Sequence, residues 1–180
     1  VAVNGVGTSK ATDDVVANLS KTYAVSGSAT LFASTQYKTS SFQNTGPVPP
    51  HPNQDTTYTV NLKVSAQNAI GNTKVSFTLP IYTTWRNVVS DPAVTYDSKT
   101  RTVTWNIGHM DQGKTLSADV GLSVRPSQSH VGQAPPITSG IVLNADEEVS
   151  RIHLKSTLTP LTTMVKNEVW IENPAFVVDR

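Results

Sequence analysis

The side chains that could do chemistry in this chain are few and scattered. Its four histidines are His51, His109, His130 and His153. No two stand at the i, i+2 or i, i+4 spacing that points two imidazoles at one metal from a strand or helix face. They therefore read as solvated or hydrogen-bonded surface groups. Carboxylates cluster at Asp13-Asp14 and at Asp146-Glu147-Glu148. Hard oxygen ligands between strands suit calcium, which makes Asp146, Glu147 and Glu148 the leading candidate ligands and Asp13/Asp14 a second pair. A D-x-D-x-D-G loop is absent, and adjacent acids ordinarily just solvate a turn. The sequence holds no G-x-S-x-G, Walker-type or G-x-G-x-x-G element, and nothing places two carboxylates across a cleft for glycoside hydrolysis. No catalytic residue is expected, and no cofactor beyond calcium.

The backbone that must carry these groups has a β composition. Among 180 residues there are 18 Ser and 24 Thr, and charged residues make up only 15%, against about 25% in an average soluble domain. A formal net charge of +1 offers no field for nucleic acid or an anionic membrane. The absence of cysteine rules out thiol catalysis, Cys-ligated zinc and disulfides. No run reaches the roughly 18 apolar residues of a membrane span. Asn18-Leu19-Ser20 is a formal glycosylation sequon, expected to be accidental. Because the sequence opens on Val1 without a signal pattern, it reads as a processed form or a segment of a longer chain.

Period-two alternation dominates. Tyr58, Val60, Leu62, Val64 and Ala66 alternate with polar neighbours, as in a half-buried strand. "IGNT" (Ile70–Thr73) reads as a turn, followed by a strand with Val75, Phe77 and Leu79 on one face. Val103, Trp105 and Ile107 form a third face, behind an Asp97-Ser98-Lys99 hairpin turn. The strongest pattern is "KTLSADVGLSV", with Leu116, Ala118, Val120, Leu122 and Val124 on one side. "SGIVLNA", "VSRIHLKSTL" and "EVWI…AFVV" are further strands, and no helix is evident. Many short strands with frequent turn signals describe an antiparallel sandwich or barrel. Trp105 is expected in the core and Trp85 at one end of the sandwich.

Four prolines fall within the six residues Pro47–Pro52 of "NTGPVPPHPNQDTTYTV", which reads as a stiff joint ahead of the main domain. Upstream, Val1-Ala-Val-Asn4 echoes Ile141-Val-Leu-Asn144, a spacing near 140 residues that would suit an internal repeat.

From about Thr45 to Thr163 the order of motifs resembles a known family. "TTYTVNLKVSAQNAIGNTKVSFTLP", "TRTVTWNIGHMDQGKTLSADVGLSVRPS" and "IVLNA" follow one another as in the conserved-repeat β-sandwich domains of the "domain of unknown function eleven" type. Those occur in tandem in bacterial and archaeal cell-surface proteins, and "FQNTGPVPP" before "TTYTV" is similar to repeats of candidate-phyla bacteria. "QSHVGQAPPITSG" and "ADEEVSR" depart from the pattern. The resemblance implies a sandwich without catalytic residues.

The expected fold is an all-β, immunoglobulin-like antiparallel β-sandwich over residues 46–165. An N-terminal β segment (1–45) precedes it and a C-terminal strand or tail (166–180) follows. The expected function is structural: a stalk repeat, or a subunit of a surface fibre or layer built by β-strand contacts, on the cell surface or outside the cell. Its partners would be copies of itself or neighbouring repeats. Val169, Trp170, Ile171, Phe176, Val177 and Val178 are the candidate assembly residues, since an apolar terminal strand can pair at home or with a neighbour. The alternative is an adhesin or carbohydrate-binding module that recognises surface glycans, for which Tyr37, Phe42, Tyr82 and Trp85 are the available aromatics.

Overall fold

The computed structural model describes residues 25–26, 29–165 and 176–179. Ten strands are formed: β1 (Val25–Ser26), β2 (Ala29–Gln36), β3 (Thr56–Ala66), β4 (Ile70–Thr78), β5 (Thr83–Val89), β6 (Val94–Asp97), β7 (Thr102–Met110), β8 (Thr115–Val124), β9 (Ile141–Glu147) and β10 (His153–Leu158). One antiparallel sheet has the order β1-β2-β3-β8-β5, the other β10-β9-β4-β7-β6. The orders β2-β3-β8 and β10-β9-β4 reproduce strands A-B-E and G-F-C of an immunoglobulin-like sandwich. Among the described residues no helix is long and apolar enough to cross a membrane.

The alternation in the sequence becomes the core. Tyr58, Val60, Leu62, Val64 and Ala66 of β3 are all buried, and so are Ala118, Val120, Leu122 and Val124 of β8. From the other sheet Val75, Phe77, Val103, Trp105, Ile141 and Leu143 close against them. Trp105 is enclosed, and its indole N–H donates to Asp91 Oδ2 at 2.9 Å. On the outermost strands Trp85 of β5 stacks on Tyr96 of β6, with ring centroids 5.3 Å apart. This pair joins the two sheets along one open side.

Two expectations change. "IGNT" is not a turn: Ile70–Thr73 opens β4, and the reversal lies at Gln67–Ala69. Asn72 takes φ +51° inside a register irregularity of β4 against both β7 and β9, so a turn-favouring residue serves a bulge instead. The domain boundary at residue 46 also moves. β2 pairs with β3 from Ala29 opposite Ala66 to Gln36 opposite Thr59, so the sandwich starts upstream of the prolines. The proline stretch belongs to the connection between two adjacent strands of one sheet.

That connection is bound down at every stage. Tyr37 Oη donates to Gly46 O at 2.7 Å, Thr57 N to Thr45 O at 2.8 Å, and Thr56 Oγ1 to Pro47 O at 2.9 Å. Gly46 sits at φ +100°, where a Cβ would drive into the backbone of Asp55 and Thr56. The Val48–Pro49 peptide is cis. Residues 176–179 return to the same end. Val177 is buried and bridges Val131, exchanging hydrogen bonds with Gly132 and Gln133 at 2.8 and 2.9 Å, while Val178 N donates to Pro50 O at 3.0 Å.

Candidate functional site

At the opposite end of the sandwich, the second sheet carries an open cavity of about 640 Å³. It is lined by Gly71 and Asn72 of β4, Gly108 and His109 of β7, Asp146 and Glu147 of β9, and Glu148 and Arg151 of the turn that follows. Strand alternation sorts the three acids. Ile141, Leu143, Ala145 and Glu147 face inward, whereas Asp146 faces out and Glu148 lies beyond the strand.

Each carboxylate is already engaged. Asp146 accepts from Asn72 Nδ2 at 2.9 Å and pairs with His153 Nδ1 at 2.8 Å. Glu147, buried, accepts from the side chains of Asn68 and Ser150. Glu148 Oε1 lies 2.6 Å from His109 Nδ1, and Asp111 Oδ1 lies 3.1 Å from Nε2 of the same ring. The left-handed turn at Asn72 and the missing side chain at Gly71 permit this crowding: a Cβ on Gly71 would stand 3.2 Å from Glu148 Oε1.

The electrostatics follow from the contacts. Hydrogen bonding to Glu148, then to Asp111, raises the His109 pKa above the ordinary imidazole value. A neutral imidazole has one donor and one acceptor nitrogen, so only the imidazolium can donate to both carboxylates. Hydrogen bonds from Asn72, then His153, hold the Asp146 carboxyl below its usual range. The arrangement ties β4, β7, β9 and β10 together through side chains. Among the described residues no group of three or more His, Asp or Glu side chains is placed to hold one metal ion. Asp146, Glu147 and Glu148, expected as calcium ligands, make the separate contacts given above. Asp13 and Asp14 lie outside the described residues.

The remaining candidates are placed as follows. His130 Nδ1 accepts from Ser127 N at 3.0 Å and lies 3.2 Å from Ser127 Oγ, closing the 3-10 turn Gln128–His130. Its ring meets Tyr82 edge-on, 4.6 Å between centroids. His51 Nδ1 lies 3.1 Å from Val178 O, where it donates to the returning tail. Tyr37, Phe42, Tyr82 and Trp85 are half-buried and form no row: Tyr37 packs on Tyr58, Tyr82 on His130 and Trp85 on Tyr96. Of the assembly residues, Phe176 is exposed, while Val177 and Val178 contact their own chain as above. Val169, Trp170 and Ile171 lie outside the described residues. Asn72, Asp111 and Arg151 were not foreseen; the only local signal was a turn-type Asn in a strand pattern.

No family model matches the chain, and no curated protein matches it. Among solved structures, a chain of the RrgA Jo.In complex superposes with a TM-score of 0.54 at 9% identity, covering 77% of this chain and 80% of that one. That likeness is one of fold: two packed antiparallel sheets. A GH20 exo β-N-acetylglucosaminidase from Vibrio harveyi, in complex with N-acetylglucosamine, gives 0.40 at 8% identity over 77% of this chain and 19% of its own. At that score it carries no argument about activity.

Proposed function

We propose that this chain is a non-enzymatic structural module of a secreted or cell-surface protein, used as a stalk repeat or as a subunit of a surface fibre or layer. The observation that carries the reading is the fold itself: two antiparallel sheets packed face to face around one core, with the acidic side chains of the cavity spent on hydrogen bonds and ion pairs within the chain. The order of motifs resembling tandem surface repeats supports the same reading, as do the hydroxyl-rich outer faces. The glycan-binding alternative has less support, because Tyr37, Tyr82 and Trp85 each pack on another ring of the chain and the Tyr37 and Tyr82 hydroxyls donate to its backbone.

Two copies of the full chain fused in tandem test the proposal by small-angle X-ray scattering. β3 alone, 11 residues long, spans about 36 Å at roughly 3.3 Å per residue. The fused pair should therefore exceed the single chain in maximum dimension by at least about 35 Å. A pair that folds side by side, with little increase, refutes the module reading.

A further inference from the structure

Residues 176–179 are held by the rest of the fold in the way a strand-adding peptide is held. On one side Gly132 N donates to Val177 O at 2.8 Å, and Val177 N donates to Gln133 O at 2.9 Å. On the other, Val178 N donates to Pro50 O at 3.0 Å, and His51 Nδ1 lies 3.1 Å from Val178 O. Gln128 Nε2 donates to Asp179 Oδ2 at 2.9 Å. Val177, bridged to Val131, is buried between these two walls, while Phe176 beside it is exposed. The proline connection and the Gln128–Gln133 turn thus form a groove that offers backbone donors and acceptors and a seat for one apolar side chain.

None of these contacts requires the segment to come from the same copy. The contiguous core runs from Ala29 to Val165 and does not include Val177, so the tail leaves the groove without opening that core. Thr163 N donates to Pro135 O at 3.1 Å, two residues along the chain from Gln133, which holds Val177. These two anchors stand at most about 7 Å apart, whereas the residues that join them, 164–176, can span about 45 Å. A link that only just closed the gap would oblige the tail to bind at home. This one is long enough to reach a neighbouring groove. Exchange keeps every hydrogen bond and changes only the entropy of joining, which makes swapping an identical element a low-cost route to association.

We infer that the groove between Pro50–His51 and Gln128–Gln133 also accepts residues 176–179 of a second copy, so that copies of this chain are joined by their tails. The inference rests on the module reading and names its contact. A tail at home competes at an effective concentration on the order of millimolar. Exchange therefore shows at similar protein concentrations, or where copies already stand side by side. One-way exchange leaves a free tail on one copy and an empty groove on the other, and both can add further copies.

Thiol trapping tests it, because the chain has no cysteine and introduced thiols pair only with each other. Val131 and Val177 are bridge partners, and paired strands stand about 4.8 Å apart, within the Cα separation a disulfide accepts. The full chain carrying both Val131→Cys and Val177→Cys should, when dilute, oxidise to an intrachain disulfide, which verifies fold and geometry together. The two single variants, mixed at about 1 mM and oxidised, should give a covalent heterodimer by intact mass. Its yield should be several-fold above that from Val177→Cys mixed with Phe32→Cys, whose thiol stands exposed in the middle of β2. An excess of a synthetic peptide of residues 173–180 should suppress the heterodimer. The same peptide should shift the Gly132 and Gln133 amide resonances of the unsubstituted chain. A missing intrachain disulfide, a heterodimer no more abundant than the Phe32→Cys control, a yield untouched by the peptide, or silent amides overturns the exchange. A failed trap beside an extended tandem pair sinks the exchange and leaves the module reading standing; a folded-back tandem pair sinks the module reading itself.

Discussion

Replacing Tyr58 by Phe should stabilise this protein. Tyr58 points inward from β3, has no accessible surface, and packs edge-on against Tyr37 with ring centroids 6.1 Å apart. Its hydroxyl finds no hydrogen-bond partner among the described residues. A buried polar group left unsatisfied costs about 1–3 kcal/mol, while Phe retains the ring, its volume and the contact with Tyr37. A gain of about 1–2 kcal/mol follows, and at roughly 2–4 °C per kcal/mol for a chain of this size the melting temperature should rise by several degrees. Urea denaturation at pH 7 measures the change, with the m-value expected to be the same in both proteins. High pH supplies an independent readout. Burial, and secondarily the neighbouring Tyr37, push the Tyr58 pKa far above its ordinary value. Folding therefore keeps the phenol protonated after the unfolded chain has begun to ionise near pH 10. Stability linked to this group is intact below that pH and declines above it, by up to about 1.4 kcal/mol per pH unit. The variant should lack this share of the decline. A destabilised Tyr58→Phe protein would refute the reasoning because it means that the hydroxyl is satisfied. Two proteins that lose stability in parallel above pH 10 would refute it because the phenol then ionises without the penalty of burial.

Other perturbations address the ends and the connection. Because the folded His109 pKa is raised, the stabilisation from Glu148 and Asp111 is complete below the unfolded imidazole value near 6.5 and is lost as pH rises through the folded value. An NMR titration should place the His109 midpoint above 6.5, and the stability advantage over His109→Gln should shrink between pH 6 and 9; a midpoint below 6.5 contradicts the geometry. Gly46→Ala should cost about 1–3 kcal/mol in urea denaturation, since both the positive φ and the backbone of Asp55 oppose a Cβ. Arg101→Ala should cost about 1.5–3 kcal/mol by the same measurement. Its guanidinium donates to Leu79 O at 3.0 Å, Pro80 O at 2.5 Å and Thr83 O at 2.6 Å, holding together the crossing from β4 to β5.

What the sequence revealed was local. Alternation identified β3, β7 and β8 because one face of each is buried, and a period of two survives any change of partner. Asp97-Ser98-Lys99 was readable as a turn because the Asp97 carboxylate binds Lys99 N and Thr100 Oγ1, both at 2.9 Å, within the turn itself. Non-local pairing was hidden. The prolines suggested a break between units, whereas the eight-residue ladder of β2 on β3 places them inside one sheet. The cavity was legible only as three adjacent acids. Its geometry depends on Asn72 and His109, which lie 74 and 39 residues from their respective partners Asp146 and Glu148, and no spacing rule connects residues so far apart.

The ladder of β2 on β3, unbroken from Ala29 opposite Ala66 to Gln36 opposite Thr59, also determines how that pair would bear load. Tension that draws the two strands in opposite directions runs along them, and the hydrogen bonds of an antiparallel ladder lie across that direction. The bonds between β2 and β3 would then be strained together, in shear, instead of opening one after another. Such a module resists extension through the simultaneous failure of a whole ladder, and its lifetime under force is set by the unfolding rate, not by the equilibrium stability.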